Sequence, residues 1–350
     1  MTVSKNLFGV MPDGKEVYEF TLENNNGMKV SVLTLGATLR SIIVPDKNGN
    51  EKDILLGFDD VTGYLERSSY QGAVVGPFAN RIGNGKFEMD GVTYEVIKNE
   101  KDVTCLHAGG EFSFAVWNSI IADSDAVEFT YVSPDGNNGF PGNVTVSVVY
   151  RLGQNNDLHI TYKAVSDKKT PISLTNHAYF NLNGYESETI LNHVLKLECS
   201  AFTPVDAFSI PTGEIRSVDG TAFDFRAEKT IGVDIDRDEE QLQLTGGFDH
   251  NFVIDGADGT LRKCAYAFSA ESGIALYAYT TLPGVQFYAG NFLEGEIGKG
   301  GLPMQKRSGF CLETQYYPDS PNKTQFPACF AEAGEEVKSE TVFTFETVKD

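Results

Sequence analysis

The stretch that decides the fold is Val144–Leu152 (VTVSVVYRL), which is followed after a short turn by Asp157–Val165 (DLHITYKAV). Both segments are rich in β-branched and aromatic residues, and apolar and polar side chains largely alternate along them. A period of two is typical of a β-strand with one buried face. The residues between them, Gly153–Asp157 (GQNND), favour a tight turn, so this region predicts a pair of antiparallel strands.

Similar strand-like segments recur along the chain without long helices between them. Val127–Ser133 (VEFTYVS) and Gly273–Leu282 (GIALYAYTTL) have the same composition, whereas only short segments such as Thr62–Ser69 look helical. This pattern argues against a βαβ sheet and predicts an all-β fold, a large antiparallel sandwich or barrel. No linker rich in Pro, Gly or Ser and no internal repeat divides the chain, so we expect one domain over residues 1–350.

The charge balance restricts the partners of the protein. The formal net charge is −21 and the pI is about 4.6. A surface this acidic repels phosphate backbones and anionic lipid headgroups, so we expect no nucleic-acid partner and no membrane partner. A neutral small molecule fits such a protein more easily than an anionic one. The acidic run Asp234–Glu240 (DIDRDEE) resembles a calcium loop, but its sixth position is Glu239 instead of Gly, so we interpret it as a solvated loop.

Cysteine usage and the first residues indicate the compartment. The five cysteines include no C-x-x-C pair, which suits reduced thiols better than a disulfide framework. The first residues, MTVSKNLFGVMPDGKE, lack the apolar run of a signal peptide, and no apolar stretch approaches the ~20 residues that span a bilayer. We therefore expect a cytoplasmic protein.

The five histidines differ in their surroundings. His159 alternates with apolar residues as a surface strand position does, and His193 has no polar cluster near it, so we interpret both as structural. His250 cannot be assigned from composition. His107 precedes a Gly pair at a predicted strand end, a place where side chains often face a ligand. His177 lies in SLTNHAYFNLNG, a run richer in side-chain amides than a core strand and typical of a binding site.

Two further segments contain polar groups among apolar residues. Asn80 and Arg81 precede a Gly-rich turn in VGPFANRIGNGKF, and Glu313 alternates with Gln315 in GFCLETQYYPDSPN. A carboxylate on an apolar strand either pairs with a buried cation or takes part in acid–base chemistry. Taken singly, each of these residues is equally compatible with a structural position.

Cys105 and Cys311 fall near these segments, so a Cys/His nucleophile has to be weighed. No basic cluster or helix N-terminus that would stabilise a thiolate is evident near either of them. We therefore interpret both cysteines as small buried hydrophobic residues.

Eight segments, taken together, resemble the aldose 1-epimerase (galactose mutarotase) family, and they run in family order over nearly the whole chain. They are Gly36–Asp46 (GATLRSIIVPD), Val75–Phe87, Leu106–Gly110, Pro134–Gly142, Ser173–Gly184, Gly246–Ile254, Pro283–Leu293 (PGVQFYAGNFL) and Gly309–Asn322. The resemblance implies an all-β fold, a large antiparallel β-sandwich of the galactose mutarotase-like type. One departure is Pro77, where many members of the family carry Arg.

The same resemblance implies roles for particular residues. Glu313 matches the general base, His177 the general acid, and His107 a second active-site histidine near the anomeric centre. An aromatic residue at Phe287 or Tyr288 is implied to cover the sugar face. The groups implied to bind sugar hydroxyls are Asn80, Arg81, Asp249 and Gln286.

The implied reaction exchanges the α and β anomers of unphosphorylated aldohexoses such as glucose and galactose. It needs one base, one acid and contacts that hold the sugar, and no metal or other cofactor. Two alternatives stay open, an epimerase of hexose 6-phosphates and a catalytically silent sugar-binding protein on the same fold. A small-molecule aldose is the expected partner, and we expect a monomer or homodimer.

Overall fold

The computed structural model describes residues 1–66 and 69–349, and strands dominate this part of the chain. Its α-helices are short: α1 (Val61–Glu66), α2 (Glu111–Phe114) and α3 (Glu240–Thr245). Within the described residues no helix has the length and apolar character needed to cross a membrane. Single 3₁₀ turns occur at Gly83–Gly85, His107–Gly110, Asn137–Gly139, Ile231–Val233, Lys299–Gly301 and Ser320–Asn322.

The strands are joined by connections of very different length. In chain order they are β1 (Thr2–Val10), β2 (Glu16–Glu23), β3 (Lys29–Leu33), β4 (Leu39–Pro45), β5 (Glu51–Asp53), β6 (Val74–Val75), β7 (Arg81–Ile82), β8 (Lys86–Met89), β9 (Val92–Glu95), β10 (Cys105–Leu106), β11 (Asn118–Asp123), β12 (Ala126–Ser133), β13 (Val144–Leu152), β14 (Asp157–Ser166), β15 (Thr170–Pro171), β16 (Thr175–Asn176), β17 (Val194–Leu197), β18 (Cys199–Phe202), β19 (Arg216–Ser217), β20 (Lys229–Thr230), β21 (Asp249–Ile254), β22 (Arg262–Phe268), β23 (Ile274–Thr280), β24 (Gly284–Tyr288), β25 (Cys311–Gln315), β26 (Phe330–Ala331) and β27 (Glu336–Thr347).

Three sheets form the body of this large antiparallel sandwich. A nine-stranded sheet has the order β11-β12-β13-β14-β27-β23-β22-β17-β20. One five-stranded sheet has the order β1-β2-β3-β4-β5, and a second has the order β19-β18-β21-β24-β25. The C-terminal strand β27 is therefore central in the largest sheet, where it pairs antiparallel with β14 on one side and β23 on the other.

The core joins the three sheets. Alternate side chains of β13 are buried, as its period of two predicts. A continuous cluster of buried apolar side chains includes Val30 of the first five-stranded sheet, Val148 of the nine-stranded sheet and Phe252 of the second five-stranded sheet. Burying such a side chain stabilises the fold by about 1.5–3 kcal/mol. The sheets therefore form a rigid support on which polar groups can be placed.

The predicted strands agree well with the observed ones. Val144–Leu152 matches β13 at both ends, and Asp157–Val165 stops one residue before the end of β14. The predicted Gly273–Leu282 is longer than β23 at both ends, because turn residues flank the strand. The helix predicted over Thr62–Ser69 is α1, which ends at Glu66; Arg67 and Ser68 lie outside the described residues.

Candidate active site

A cavity of about 360 Å³ lies beside the sheet that contains β21, β24 and β25. Its volume falls within the range of roughly 300–1,000 Å³ that is usual for ligand pockets. Residues distant in sequence meet there because antiparallel pairing sets Asp249 opposite Tyr288, while Glu313 comes from the neighbouring strand β25. Six of the predicted site residues line it: Asn80, Arg81, His107, His177, Asp249 and Glu313.

A second cavity, of about 460 Å³, is larger but chemically different. Its buried carboxylate, Asp319, already accepts hydrogen bonds from the Gly83 N–H at 2.9 Å and from Asn322 Nδ2 at 2.7 Å. No histidine is among the described residues that line it. The 360 Å³ cavity is therefore the candidate active site.

His177 and Glu313 form a close acid–base pair in this cavity. His177 Nε2 lies 3.7 Å from Glu313 Oε1, and both side chains are buried. Glu313 is central in β25, whose residues are all buried, and His177 directly follows β16. Among the described residues Glu313 Oε2 has no hydrogen-bond partner, so this oxygen is available to a ligand.

Burial disfavours a state in which only one of the two groups, His177 or Glu313, is charged. Loss of hydration lowers the pKa of His177 to about 4. Burial, with the nearby charge of Asp249, raises the pKa of Glu313 well above its usual value, and Arg81 opposes that rise. Burial therefore favours states in which the pair shares one proton, either on Glu313 with a neutral imidazole or on His177 as an ion pair.

The backbone of Asn80 fixes the tautomer of His107. The backbone N–H of Asn80 donates to His107 Nδ1 at 3.2 Å, and the backbone N–H of His107 donates to the Asn80 carbonyl at 2.9 Å. A backbone N–H can only donate, so Nδ1 is an acceptor and the proton of the neutral ring is on Nε2. Burial lowers the pKa of His107 well below its usual value, which keeps the ring neutral. His107 therefore presents an N–H donor to the cavity.

Ring contacts hold both histidines. The Tyr70 ring centroid lies 4.7 Å from that of His107 and 6.2 Å from that of His177, and Tyr179 stacks on His177 at 5.0 Å. Both tyrosines line the cavity. Tyr70 was not predicted, and its positive φ of 54° gives no signal in a single sequence. These contacts restrict the orientations of the imidazole rings.

Arg81 is held between two carboxylates. Its Nε and Nη2 donate to the two oxygens of Glu100, each at 2.8 Å, and its Nη1 lies 3.8 Å from Asp249 Oδ2. Glu100 also lines the cavity, although its sequence context did not single it out. Asp249 in turn accepts a hydrogen bond from Gln286 Nε2 at 2.7 Å.

Gln286 is not among the residues that line the cavity, although it shares a sheet face with Asp249 and Glu313. Its side chain is buried and spans from Asp249 to Gln315, whose Nε2 donates to Gln286 Oε1 at 3.4 Å. It therefore orients Asp249.

The aromatic residue that faces the cavity lies in the same strand. Phe287 faces the hydrophobic core, whereas Tyr288 lines the cavity. Of the two alternatives left open by the sequence, Tyr288 is therefore the one placed at the cavity.

The amide-rich run around His177 is largely structural. Asn176 Nδ2 donates to the Gly72 carbonyl at 2.6 Å, and Asn181 Nδ2 donates to the Ser308 carbonyl at 2.9 Å. Asn183 Nδ2 binds Glu271 at 3.1 Å. Only His177 and Tyr179 of this run line the cavity. The amides fix the loops that carry the histidine, which is why so many of them occur on buried positions.

The remaining histidines and the cysteines lie outside the cavity wall. His193 is buried and accepts the Leu182 N–H at Nε2, and the half-exposed His159 pairs with Asp157 and Glu340, both as interpreted from the sequence. His250, unassigned before, is buried with its Nε2 3.2 Å from Gln241 Oε1. The cysteines are free and buried, as interpreted, and burial raises the pKa of Cys105 and of Cys311.

Three side chains of the cavity could in principle bind a metal ion. The ligand atoms of His107, His177 and Glu313 all lie within 4.8 Å of one another. A metal would have to bind His107 through Nε2, which carries the ring proton while Nδ1 accepts the Asn80 N–H. The tautomer fits hydrogen-bond donation to a ligand oxygen better than metal binding.

The large antiparallel sandwich has the galactose mutarotase-like fold, and its cavity contains a buried histidine and carboxylate 3.7 Å apart. Comparison with known proteins is specific. The sequence profile of the family described as aldose 1-epimerase matches residues 18–344. Galactose mutarotase from Bos taurus is 42% identical over 99% of both chains, and aldose 1-epimerase from Escherichia coli K12 is 38% identical over 95% of this chain and 96% of its own.

Comparison with solved structures indicates the same family as these sequence comparisons. Galactose 1-epimerase from Lactobacillus acidophilus NCFM superposes with a TM-score of 0.86, at 30% identity and 99% coverage of both chains. The aldose epimerase homologue from C. elegans has a TM-score of 0.87, at 32% identity, covering 94% of this chain and 98% of its own. The chain belongs to the aldose 1-epimerase family of carbohydrate isomerases, as the resemblance predicted.

Proposed function

We propose that the protein interconverts the α and β anomers of unphosphorylated aldohexoses such as glucose and galactose. The strongest support is the pair formed by His177 and Glu313, which lie 3.7 Å apart in a cavity lined by both polar and apolar side chains. Anomer exchange needs one group that takes a proton and one that gives it, and this pair supplies both. The names of the relatives describe the same reaction.

The proposed reaction begins with the proton of the pair on His177. Glu313 takes the proton of the anomeric hydroxyl while His177 gives its proton to the ring oxygen. The bond between C1 and the ring oxygen breaks, and the anomeric oxygen becomes the carbonyl of the open aldehyde. Rotation about C1–C2 presents the other face of the carbonyl, and both proton transfers reverse as the ring closes. The reaction involves no net oxidation or reduction and the two proton transfers are sufficient for it, so the proposal includes no cofactor and no metal.

The other residues of the cavity hold the sugar in this proposal. His107 donates its Nε2–H to the anomeric oxygen, which gains negative charge as it loses its proton and becomes the carbonyl oxygen. Arg81 Nη1, Asp249 and the side chain of Asn80 bind sugar hydroxyls, and Gln286 acts through Asp249. Tyr288 covers one face of the ring.

We propose further that residues 1–350 act as one enzyme domain, as a monomer or homodimer, in a reducing compartment such as the cytoplasm. The five free, buried cysteines support a reducing compartment. The net charge of −21 supports the absence of a nucleic-acid or membrane partner.

Polarimetry tests the proposed activity directly. Freshly dissolved α-D-glucose and α-D-galactose should reach their equilibrium rotations faster with catalytic amounts of the protein than in buffer alone. Glucose 6-phosphate serves as the comparison substrate and should be accelerated much less. Binding of glucose without any acceleration would identify a silent sugar-binding protein and would overturn the proposal.

A further inference from the structure

The guanidinium of Arg81 is already occupied on the edge with which arginine usually binds anions. Its Nε and Nη2 form a parallel pair of 2.8 Å hydrogen bonds with Glu100. This fork is the geometry by which arginine recognises phosphate and carboxylate groups. Nη1 is the one nitrogen left outside the fork.

Glu100 is itself held in place. Thr104 Oγ1 donates to Glu100 Oε2 at 2.7 Å, and the carboxylate is four-fifths buried with a side-chain exposure of 21%. Burial opposes ionisation, but the hydrogen bonds and charge of Arg81 lower the pKa of Glu100 below its usual value. Glu100 therefore stays ionised beside the cavity near neutral pH.

Among the described residues, acidic side chains outnumber basic ones in the cavity wall. The cations of this described part are Arg81 and Lys101. Even with Glu313 protonated, three carboxyl groups remain, and they belong to Glu100, Asp249 and Glu296. A substrate that carries a phosphate or carboxylate would meet this charge, and it would have to displace Glu100 to gain the arginine fork.

We propose that Glu100 is a specificity-determining residue that restricts the enzyme to uncharged aldoses. It occupies the anion-binding edge of Arg81 and adds one negative charge to the cavity wall. A neutral hydroxyl needs only one donor, which Nη1 supplies, whereas an anionic group loses both the fork and the favourable charge. This inference rests on the proposed function, because it assigns the substrate class of the same cavity.

The decisive variant is Glu100→Gln, which keeps the shape of the side chain and removes its charge. The matched control is Glu214→Gln. Arg216 donates Nε and Nη2 to Glu214 at 2.9 and 2.7 Å, so this control removes one charge from the same kind of pair outside the cavity. Anomer exchange of glucose and glucose 6-phosphate, measured by NMR exchange spectroscopy, gives kcat/KM for each sugar.

We expect Glu100→Gln to raise the ratio of kcat/KM for glucose 6-phosphate over glucose by about tenfold or more, since one nearby negative charge is removed. The ratio should not change in Glu214→Gln. If both sugars lose efficiency in the same proportion in Glu100→Gln, Glu100 only positions Arg81 and the proposal is wrong. It is also wrong if the wild-type enzyme processes both sugars equally well.

Binding separates this inference from the proposed function. Calorimetric dissociation constants of the two sugars give the same ratio without any turnover, so a protein that binds but does not exchange anomers still tests the role of Glu100. If the variant does not fold, the wild-type protein still tests whether negative charge around the cavity opposes the phosphate. Salt screens like-charge repulsion, so its affinity for glucose 6-phosphate should strengthen between low and moderate ionic strength while that for glucose stays constant. Weakening of phosphate binding by salt would contradict the proposal.

Discussion

The histidines of the cavity and those of the hydrophobic core are all buried, but their ring nitrogens have different partners. Burial lowers the pKa of His177 to about 4 and that of His193 and His250 to about 3. His250 Nδ1 accepts the Asp249 N–H at 3.3 Å, as His107 Nδ1 accepts the Asn80 N–H. The second nitrogen of His250 meets Gln241 Oε1, whereas that of His107 is left for the cavity.

This difference shows that a shifted pKa measures burial and does not by itself identify a catalytic group. All four buried rings favour the neutral form, and only His177 has a carboxyl oxygen 3.7 Å from Nε2 in a cavity wall. A nearby proton acceptor and space for a ligand turn a buried histidine into an acid–base group.

The largest effect is expected for Glu313→Gln. The amide keeps the shape of the side chain but cannot take the anomeric proton, so kcat should fall by about 10²–10⁴-fold. Polarimetry on α-D-glucose measures it, and sugar affinity should change little. A variant that accelerates mutarotation as well as wild type would show that Glu313 is not the base.

His177→Asn should have a somewhat smaller effect. Asparagine cannot deliver a proton to the ring oxygen, although water can partly replace the acid, so we expect kcat to fall by about 10²–10³-fold. KM should rise by much less than that. A loss confined to KM would mean that His177 binds the sugar without transferring a proton.

His107 should contribute less, because it donates a hydrogen bond and keeps its proton. His107→Leu removes the donor and should lower kcat/KM by about 10–10²-fold, whereas His107→Gln retains an N–H and should lose less. In ¹⁵N-histidine-labelled wild-type protein, NMR should show a protonated Nε2 and an unprotonated Nδ1 at neutral pH. A proton on Nδ1 would contradict the hydrogen bond from Asn80, and equal losses in both variants would contradict the role as donor.

The core histidines should affect stability and leave the rate unchanged. His193→Gln keeps an acceptor for the Leu182 N–H, and we expect a loss of about 1–2 kcal/mol in the free energy of unfolding at pH 7. Anomer exchange per folded molecule should equal that of wild type. A rate loss comparable to that of His177→Asn would break the distinction between the two regions.

The same variant tests the pKa of a core histidine. The pKa of His193 is about 3 in the folded protein, below the ~6.5 of an unfolded chain. The unfolded state therefore binds the extra proton between these values, and the stability that His193 contributes is complete above pH 6.5 and lost as the pH falls. Urea unfolding at pH 7 and pH 5 should show the disadvantage of His193→Gln shrinking at the lower pH. A difference independent of pH would mean that the folded pKa is not lowered.

The sequence predicted the strands and most of the site for different reasons. Period-two alternation located β13 and β14, because one face of each is buried along its whole length. Glu313 and His177 were ambiguous from their own surroundings, and the ordered resemblance to a family brought them together. Local patterns fail for contacts that depend on distant chain segments.

The residues that were missed or misplaced all depend on such contacts. Glu100 lies in a polar run (KNEKD) that looks like any surface turn, and its role depends on Arg81, 19 positions away. Gln286 follows the family order, but its side chain meets Asp249 and Gln315 and is not among the residues that line the cavity. The asparagines near His177 donate hydrogen bonds to backbone carbonyls of loops that are distant in sequence.

The central place of β27 has a consequence for synthesis on the ribosome. The strands β11 to β14 emerge long before the last residues, and β14 has an open edge until β27 pairs with it. Strand β23 also waits for β27 on its other side. The nascent chain thus carries two unpaired, aggregation-prone edges until Glu336–Thr347 emerges, and this strand closes both at once. A truncation that removes β27 should therefore leave an insoluble product.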